Sequence, residues 1–174
     1  MEGKYHEPVY DGGRMTEEKA FRQLLSKLLE WGDAHVGFDT AVAGIPARFR
    51  GVRPPGAPHS LWQLVEHLRI AQFDILDFCS NSLYEEKQWP DDYWPADAAP
   101  SSARAWTTSL SRFVADRRAL QKLAVNPKID LAARIPHGSG QTYLRELVLV
   151  ADHTAYHVGQ LVLVRQQLGI WNRG

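Results

Sequence analysis

The fold of this chain is decided by the stretch Asp152-His153-Thr154-Ala155-Tyr156-His157-Val158-Gly159-Gln160, which places two histidines four residues apart in a strongly apolar segment. Residues at that spacing are neighbours on one face of a helix, with Cβ atoms about 6 Å apart. Neutral imidazole is the commonest protein ligand for transition metals. The stretch therefore predicts a helix that presents two candidate metal ligands on one face.

The polar groups of this helix form one narrow stripe. At about 100° per residue, His153, His157 and Gln160 fall on the same side of the helix. The opposite side is apolar and consists of Leu144, Ala151, Ala155, Val158 and Val162. Because so little of its surface is polar, we expect the helix to be covered on both sides, by the interior of a helical bundle and by a further helix or a second subunit.

Four segments have helical periodicity, whereas the alternation typical of β-strands is hard to find. In the second segment, Ser60 and Gln63 have the spacing of a capping box, which predicts the start of a helix. Four long helices in one domain of this size predict an all-α fold, a four-helix bundle. The segments run from about Thr16 to Trp31, from Ser60 to Cys79, from Ser101 or Ser102 to Asn126, and from Gln141 or Thr142 to Leu168.

The connection between the second and third helices, residues 84–95, is too long for a tight turn and rich in aromatic residues. Long loops in compact domains often cover functional sites or pack against the surface. We expect this loop to fold back over one end of the bundle, either as a structural flap or as a lid that contacts a substrate. Trp89, Tyr93 and Trp94 are the candidates for the walls of a substrate site.

Composition limits the partners of this protein. Twenty basic residues balance twenty acidic residues, and no run of Lys or Arg is longer than Arg117-Arg118. A nucleic acid or an anionic membrane surface is therefore not expected as a partner, and a small molecule or another protein chain is. The length predicts a single domain over residues 1–174, with an N-terminal tail of about 1–15.

The cysteine content and the apolar segments predict where the protein is found. Cys79 is the one cysteine, which excludes an internal disulfide, and the N-terminus lacks the apolar core of a signal peptide. No apolar stretch approaches the length of about 20 residues that crosses a bilayer, and the longest runs from Leu147 to Ala151. We expect a cytoplasmic protein that is not inserted in a membrane.

His67, on the second predicted helix, is the best candidate for a third ligand. By its angular position it lies at the border of the apolar face, where a side chain can reach the bundle interior from the rim. Three histidines from two helices would leave a coordination position open, as in catalytic metal sites, whereas a closed zinc site needs four ligands and usually several cysteines. From spacing alone, buried core histidines that share this spacing by chance are the commoner explanation of the motif. A zincin protease needs Glu directly after the first histidine as its general base, and this chain has Thr154 there. Peptide hydrolysis by that mechanism is therefore not expected.

Five polar residues near these histidines have candidate supporting roles. Asp152 and Glu66 each precede a candidate ligand and are weak candidates for the carboxylates that often orient metal-bound imidazoles. Gln160 is a candidate for holding water or substrate, or for a hydrogen bond within the bundle. His137 and His59 lie at the loop ends of helices and are candidates for acid or base groups.

The residues 58–68 and 151–161, followed by Arg165 and the residues 168–171, resemble the DinB/YfiT-like family of metal-dependent enzymes. The resemblance extends from about residue 16 to residue 171. It implies an antiparallel four-helix bundle of up-down-down-up type that often forms homodimers. It also implies a divalent metal, with zinc or nickel as the expected ion, held by His67, His153 and His157.

The resemblance further implies an enzyme that transfers low-molecular-weight thiols such as bacillithiol, mycothiol or glutathione, in detoxification. A metal with three imidazole ligands suits that chemistry, because coordination deprotonates a thiol at neutral pH. Since Cys79 is expected to fill the core, the thiol would come from solution. The alternatives are a metal-dependent hydrolase, in which the metal lowers the pKa of water to about 7, and a non-catalytic metal-binding stress-response protein.

Overall fold

The computed structural model describes residues 16–171, and within this range the fold is entirely helical. No strand forms among these residues; a single isolated β-bridge joins Arg134 and Thr142. The all-α class is therefore confirmed, while the predicted tail of about 1–15 lies outside the described residues. The α-helices are α1 (Glu17–Leu28), α2 (Phe38–Val42), α3 (Leu61–Ser80), α4 (Ala103–Val125) and α5 (Tyr143–Gln167), and two short 3-10 helices cover Ala47–Phe49 and Asp91–Tyr93.

Helix α3 begins at the capping box that the sequence predicts. The Ser60 hydroxyl accepts a hydrogen bond from the Gln63 amide at 3.1 Å, and the Gln63 side-chain oxygen accepts one from the Ser60 amide at 3.2 Å. Ser102 caps α4 and Thr142 caps α5 in the same way, each through its side-chain oxygen. These hydrogen bonds use amides that the first helical turn leaves unpaired, so the predicted starts are confirmed.

The first helix, whose end the sequence left open, ends at Leu28. The last turn tightens, with the Trp31 amide donating to the carbonyl of Leu28 at 3.3 Å. A sharp bend follows, in which a Cβ atom on Gly32 would lie 3.2 Å from the Gly37 backbone nitrogen. The chain then enters α2, which packs against α5.

Two apolar clusters lie along the helices. The first, which we call the site-end core, includes Leu61 on α3 and Leu161 on α5. The second, the far-end core, includes Cys79 on α3 and Leu147 on α5. Because the start of α3 packs with the end of α5, and the end of α3 with the start of α5, the two helices run in opposite directions.

Helix α5 is the one helix in the described part of the chain that is long and apolar enough, by length and composition alone, to cross a membrane. This is weak evidence, because the core helix of a helical domain meets the same criteria. In this structure α5 packs against α2 and α3 and buries the charged side chain of Glu146. It therefore serves as a packing partner for the other helices.

Candidate metal centre

Helices α3 and α5 bring three imidazoles together: His67 comes from α3, and His153 and His157 come from α5. The Nε2 atom of His67 lies 3.0 Å from Nε2 of His153 and 3.2 Å from Nε2 of His157. One ring nitrogen from each of the three residues lies within 4.8 Å of the others. The residues that the sequence singled out thus form one compact group, which we call the histidine cluster.

His67 lies deeper in the protein than its angular position predicts. Its side chain is only 1% exposed, whereas the sequence placed it at the rim of the apolar face. The difference arises because residues 81–102 fold back over α3, and the Trp94 ring stacks on the imidazole of His67 at 3.8 Å. His157 is also buried, and His153 is half-buried.

Two of the three imidazoles are oriented by hydrogen bonds on their outer nitrogens. Nδ1 of His67 donates to the backbone carbonyl of Tyr93 at 2.9 Å, and Nδ1 of His157 donates to the side-chain oxygen of Gln160 at 2.7 Å. Both acceptors are oxygens, so the proton is assigned to Nδ1 in each ring. The Nε2 lone pairs then face the centre of the histidine cluster, as they do in metal sites with an organised outer shell.

The spacing of these nitrogens fits a small divalent cation. Two imidazole nitrogens bound to a tetrahedral zinc at 2.0–2.1 Å lie about 3.3 Å apart. The distances from Nε2 of His67, 3.0 Å and 3.2 Å, are close to that value. The donor set and its geometry therefore indicate a site for a divalent metal.

Burial keeps the cluster in the protonation state that binds metals. It lowers the pKa of His67 to about 4 and that of His153 to about 3, and it also lowers the pKa of His157. The proximity of the imidazoles adds to the effect on His67 and His153, since a charge on one disfavours a charge on the next. All three side chains are therefore neutral at pH 7 and have lone pairs available for a metal.

One side of the cluster is closed by a stack of three rings. The Trp94 indole lies parallel to His67, with ring centroids 3.8 Å apart, and His59 stacks on Trp94 at the same distance. Trp94, a candidate for a substrate wall, thus packs against a candidate ligand. His59, a candidate acid or base, is held outside the cluster by the indole.

The carboxylates that precede the candidate ligands have other contacts. Glu66 forms an ion pair with Arg69 at 2.6 Å. Asp152 lines a separate groove of about 310 Å³ between α5 and the residues that follow α1, and none of the three histidines lines that groove. Among the described residues, neither carboxylate bonds to the histidine cluster. The acceptors are instead Gln160, which the sequence placed on the ligand stripe, and the Tyr93 carbonyl, which no sequence pattern indicated.

A cavity of about 570 Å³, which we call the metal-side cleft, opens beside the cluster. His153 lines it, whereas His67 and His157 are covered by the protein. His137 lies on its wall and bonds through Nε2 to the carbonyl of Phe78 at 2.8 Å, so it shares the cleft without joining the cluster. The other side chains that line the cleft include Ala71, Asp74, Ile75, Tyr84, Glu86, Trp89, Tyr93, Arg145, Glu146 and Leu149.

Comparison with protein-family models identifies the family of this chain. A family model of the DinB superfamily matches residues 33–161, about three quarters of the chain. The chain therefore belongs to the DinB superfamily, which confirms the family that the sequence resembles. The matched region contains His67, His153, His157 and the loop that covers them. No curated protein and no solved structure matches the chain.

Proposed function

We propose that this protein is a divalent-metal-dependent enzyme that transfers a low-molecular-weight thiol of the bacillithiol, mycothiol or glutathione type to an electrophile. The observation that carries the proposal is the convergence of three neutral imidazoles beside a cleft that only one of them lines. A closed structural site would bury all of its ligands. Here His153 adjoins a space large enough for a small molecule.

A divalent metal held by His67, His153 and His157 would lower the pKa of a thiol or of water that reaches it. The protein's own residues support this chemistry by orienting the imidazoles through Tyr93 and Gln160 and by excluding water from one side through Trp94. Zinc and nickel both suit three imidazoles. The same ligands would also serve a hydrolase, so the reaction has to be distinguished by its substrates.

The thiol in this proposal comes from solution. Cys79 lies in the far-end core and is 6% exposed. Burial raises the pKa of its thiol to about 12, so it stays protonated and unreactive at neutral pH. The chain has no other cysteine to act as a nucleophile.

We further propose that the long helices α1, α3, α4 and α5 form the up-down-down-up bundle of the family, and that the protein is a cytoplasmic homodimer. Exposed apolar side chains on α5, among them Val148, Tyr156 and Leu163, support an interface between copies of this chain. Sedimentation of the purified protein tests the homodimer. A monomer at micromolar concentration would refute it.

Metal analysis of the purified protein tests the site. We expect about one divalent ion per chain in the wild type and none in His67→Ala or His153→Ala. His137→Ala is the matched control and should keep the ion, because His137 lies outside the cluster. A wild type without metal, or variants that retain it, would refute the site.

Turnover distinguishes the reactions. The metal-loaded protein is incubated with a panel of thiols and a chlorinated aromatic electrophile, beside a panel of small esters and amides. Thiol-dependent turnover that is absent from His153→Ala supports thiol transfer. Hydrolysis that needs no thiol would refute transfer and show that the protein is a hydrolase. Full metal occupancy without turnover on either panel would instead support a non-catalytic metal-binding protein.

A further inference from the structure

Asp74 is a buried carboxylate in the wall of the metal-side cleft. It lies on α3, seven residues after His67, and only 7% of it is exposed. The Tyr93 hydroxyl donates to its Oδ2 at 2.6 Å, and the Tyr84 hydroxyl lies 3.2 Å from both carboxylate oxygens. Two tyrosines thus hold the carboxylate in a fixed orientation.

These tyrosines leave part of the carboxylate's hydrogen-bonding capacity unused. An ionised carboxylate offers about four acceptor positions, and Oδ1 of Asp74 has only the long contact with Tyr84 among the described residues. Burial raises the pKa of Asp74. Lys87 is near enough to oppose that shift, but it neither lines the cleft nor forms an ion pair with Asp74 within the described part of the chain. The carboxylate therefore lacks a bonded cation.

The charges that line the cleft are unbalanced. Besides the imidazoles of His137 and His153, the cleft is lined by one basic side chain, that of Arg145, which forms an ion pair with Glu146 at 2.6 Å. Within residues 16–171, Asp74 and Glu86 are then two carboxylates of the cleft without an ion pair. A cleft with negative charge and partly apolar walls concentrates cations.

An aromatic surface stands at the same cleft. The Trp89 indole is 70% exposed, and its ring centroid lies 5.2 Å from that of Tyr93. The face of an exposed indole attracts ammonium groups. The floor of the cleft is apolar, formed in part by Ile75 and Leu149.

We propose that the metal-side cleft binds a small molecule that carries a protonated amine, held by the Asp74 carboxylate, while the rest of the molecule lies toward His153. The cavity of about 570 Å³ suits a ligand of this kind. This inference rests on the proposed function in that the same molecule is the enzyme's substrate. For a thiol substrate, it selects thiols with a free amine over thiols without one.

The first test uses metal-free protein, so that it depends on neither metal nor turnover. Calorimetric titration compares phenethylamine with phenethyl alcohol, which differ only in the charged group. We expect the amine to bind at least about tenfold more tightly, since hydrogen bonds between charged groups exceed neutral ones by that order. Equal affinity for the two compounds in the wild type would overturn the proposal without the use of any variant.

Substitution identifies the carboxylate. Asp74→Asn should abolish the preference for the amine, whereas Asp77→Asn, the same change one turn further along α3, should preserve it. Thermal unfolding shows whether each variant is folded before it is titrated. A folded Asp74→Asn variant that keeps the preference would show that another group binds the amine, which refutes the proposed role of Asp74.

The second test separates this inference from the proposed function. Cobalt-loaded protein is titrated with cysteamine and with mercaptoethanol, and the absorption of the metal is followed. Tighter binding of cysteamine in the wild type, lost in Asp74→Asn, supports the inference even if no thiol is transferred. Thiol transfer with equal affinity for both thiols would support the function and refute the inference.

Discussion

The two ends of the helix pair α3 and α5 differ in what they bury. At the far end the two helices meet mainly through apolar contacts, with Leu147 fully buried and Cys79 packed beside it, and the one buried charge on α5 there, Glu146, is paired with Arg145. At the site end the same helices bury His67 and His157 among apolar neighbours. The comparison teaches that one pair of helices divides two tasks: the far end supplies stability, and the site end uses part of it to hold uncharged ligands in place.

The largest effect is expected at the far end. Leu147→Ala removes a fully buried side chain and should lower the free energy of unfolding by about 2–5 kcal/mol. Metal affinity should stay unchanged at temperatures where the variant is folded, because Leu147 lies in the other core. Urea unfolding and metal titration measure the two quantities. A large loss of affinity in the folded variant would show that the two ends are coupled.

Bound metal should make the site end contribute to the free energy of unfolding as well. A metal at a thousand times its dissociation constant stabilises the folded state by about 4 kcal/mol if it does not bind the unfolded chain. We expect that gain in the wild type and in Leu147→Ala, and its loss in His67→Ala. Thermal unfolding with and without metal measures it. An equal gain in His67→Ala would mean that the metal binds elsewhere.

Sequence reasoning recovers what is periodic or local in this fold. The capping box at Ser60 starts α3 where predicted, because a cap depends on residues three apart. The spacing of His153 and His157 places both on one face of α5, for the same reason. Their convergence with His67 depends on how α3 packs against α5, which the family resemblance implied and the spacing alone left open.

The surroundings of the cluster could not be predicted because they depend on an irregular loop. The acceptor for His67 is the backbone carbonyl of Tyr93, and its direction is set by the conformation of the loop rather than by residue type. The conformation of this loop also places Trp94 between His59 and His67 and buries His67. The aromatic composition of residues 84–95 was the one available signal, and it indicated a cover without showing what it covers.

A smaller effect is expected for the side chain that orients His157. Gln160→Ala removes the acceptor for its Nδ1 hydrogen and should lower metal affinity about tenfold to a hundredfold, the usual cost of losing an outer hydrogen bond. Gln166→Ala, an exposed position on the same helix, is the matched control. Competition with a chelator measures both. An unchanged affinity in Gln160→Ala would leave Gln160 with a role toward the substrate or within the bundle.

The smallest effect is expected for the free energy of unfolding of the metal-free protein as the pH changes. Unfolded histidine has a pKa near 6.5, whereas burial lowers that of His67 to about 4 and that of His153 to about 3. Between pH 6.5 and about 4 the unfolded chain therefore binds more protons than the folded one. The free energy of unfolding should fall as the pH falls, by up to about 1.4 kcal/mol per pH unit for each histidine.

His153 should contribute less than His67, because it is half-buried and solvent screens its charge. Asp74 and Asp116 act in the opposite direction, since burial raises their pKa values and the folded state then gains protons first. Subtracting the pH profile of His67→Ala from that of the wild type removes these common contributions. Leu147→Ala, the control at the far end, should run parallel to the wild type at lower stability. If His67→Ala kept the full pH dependence, the pKa of His67 would be the same in the folded and the unfolded chain, and burial would not be what keeps this imidazole neutral.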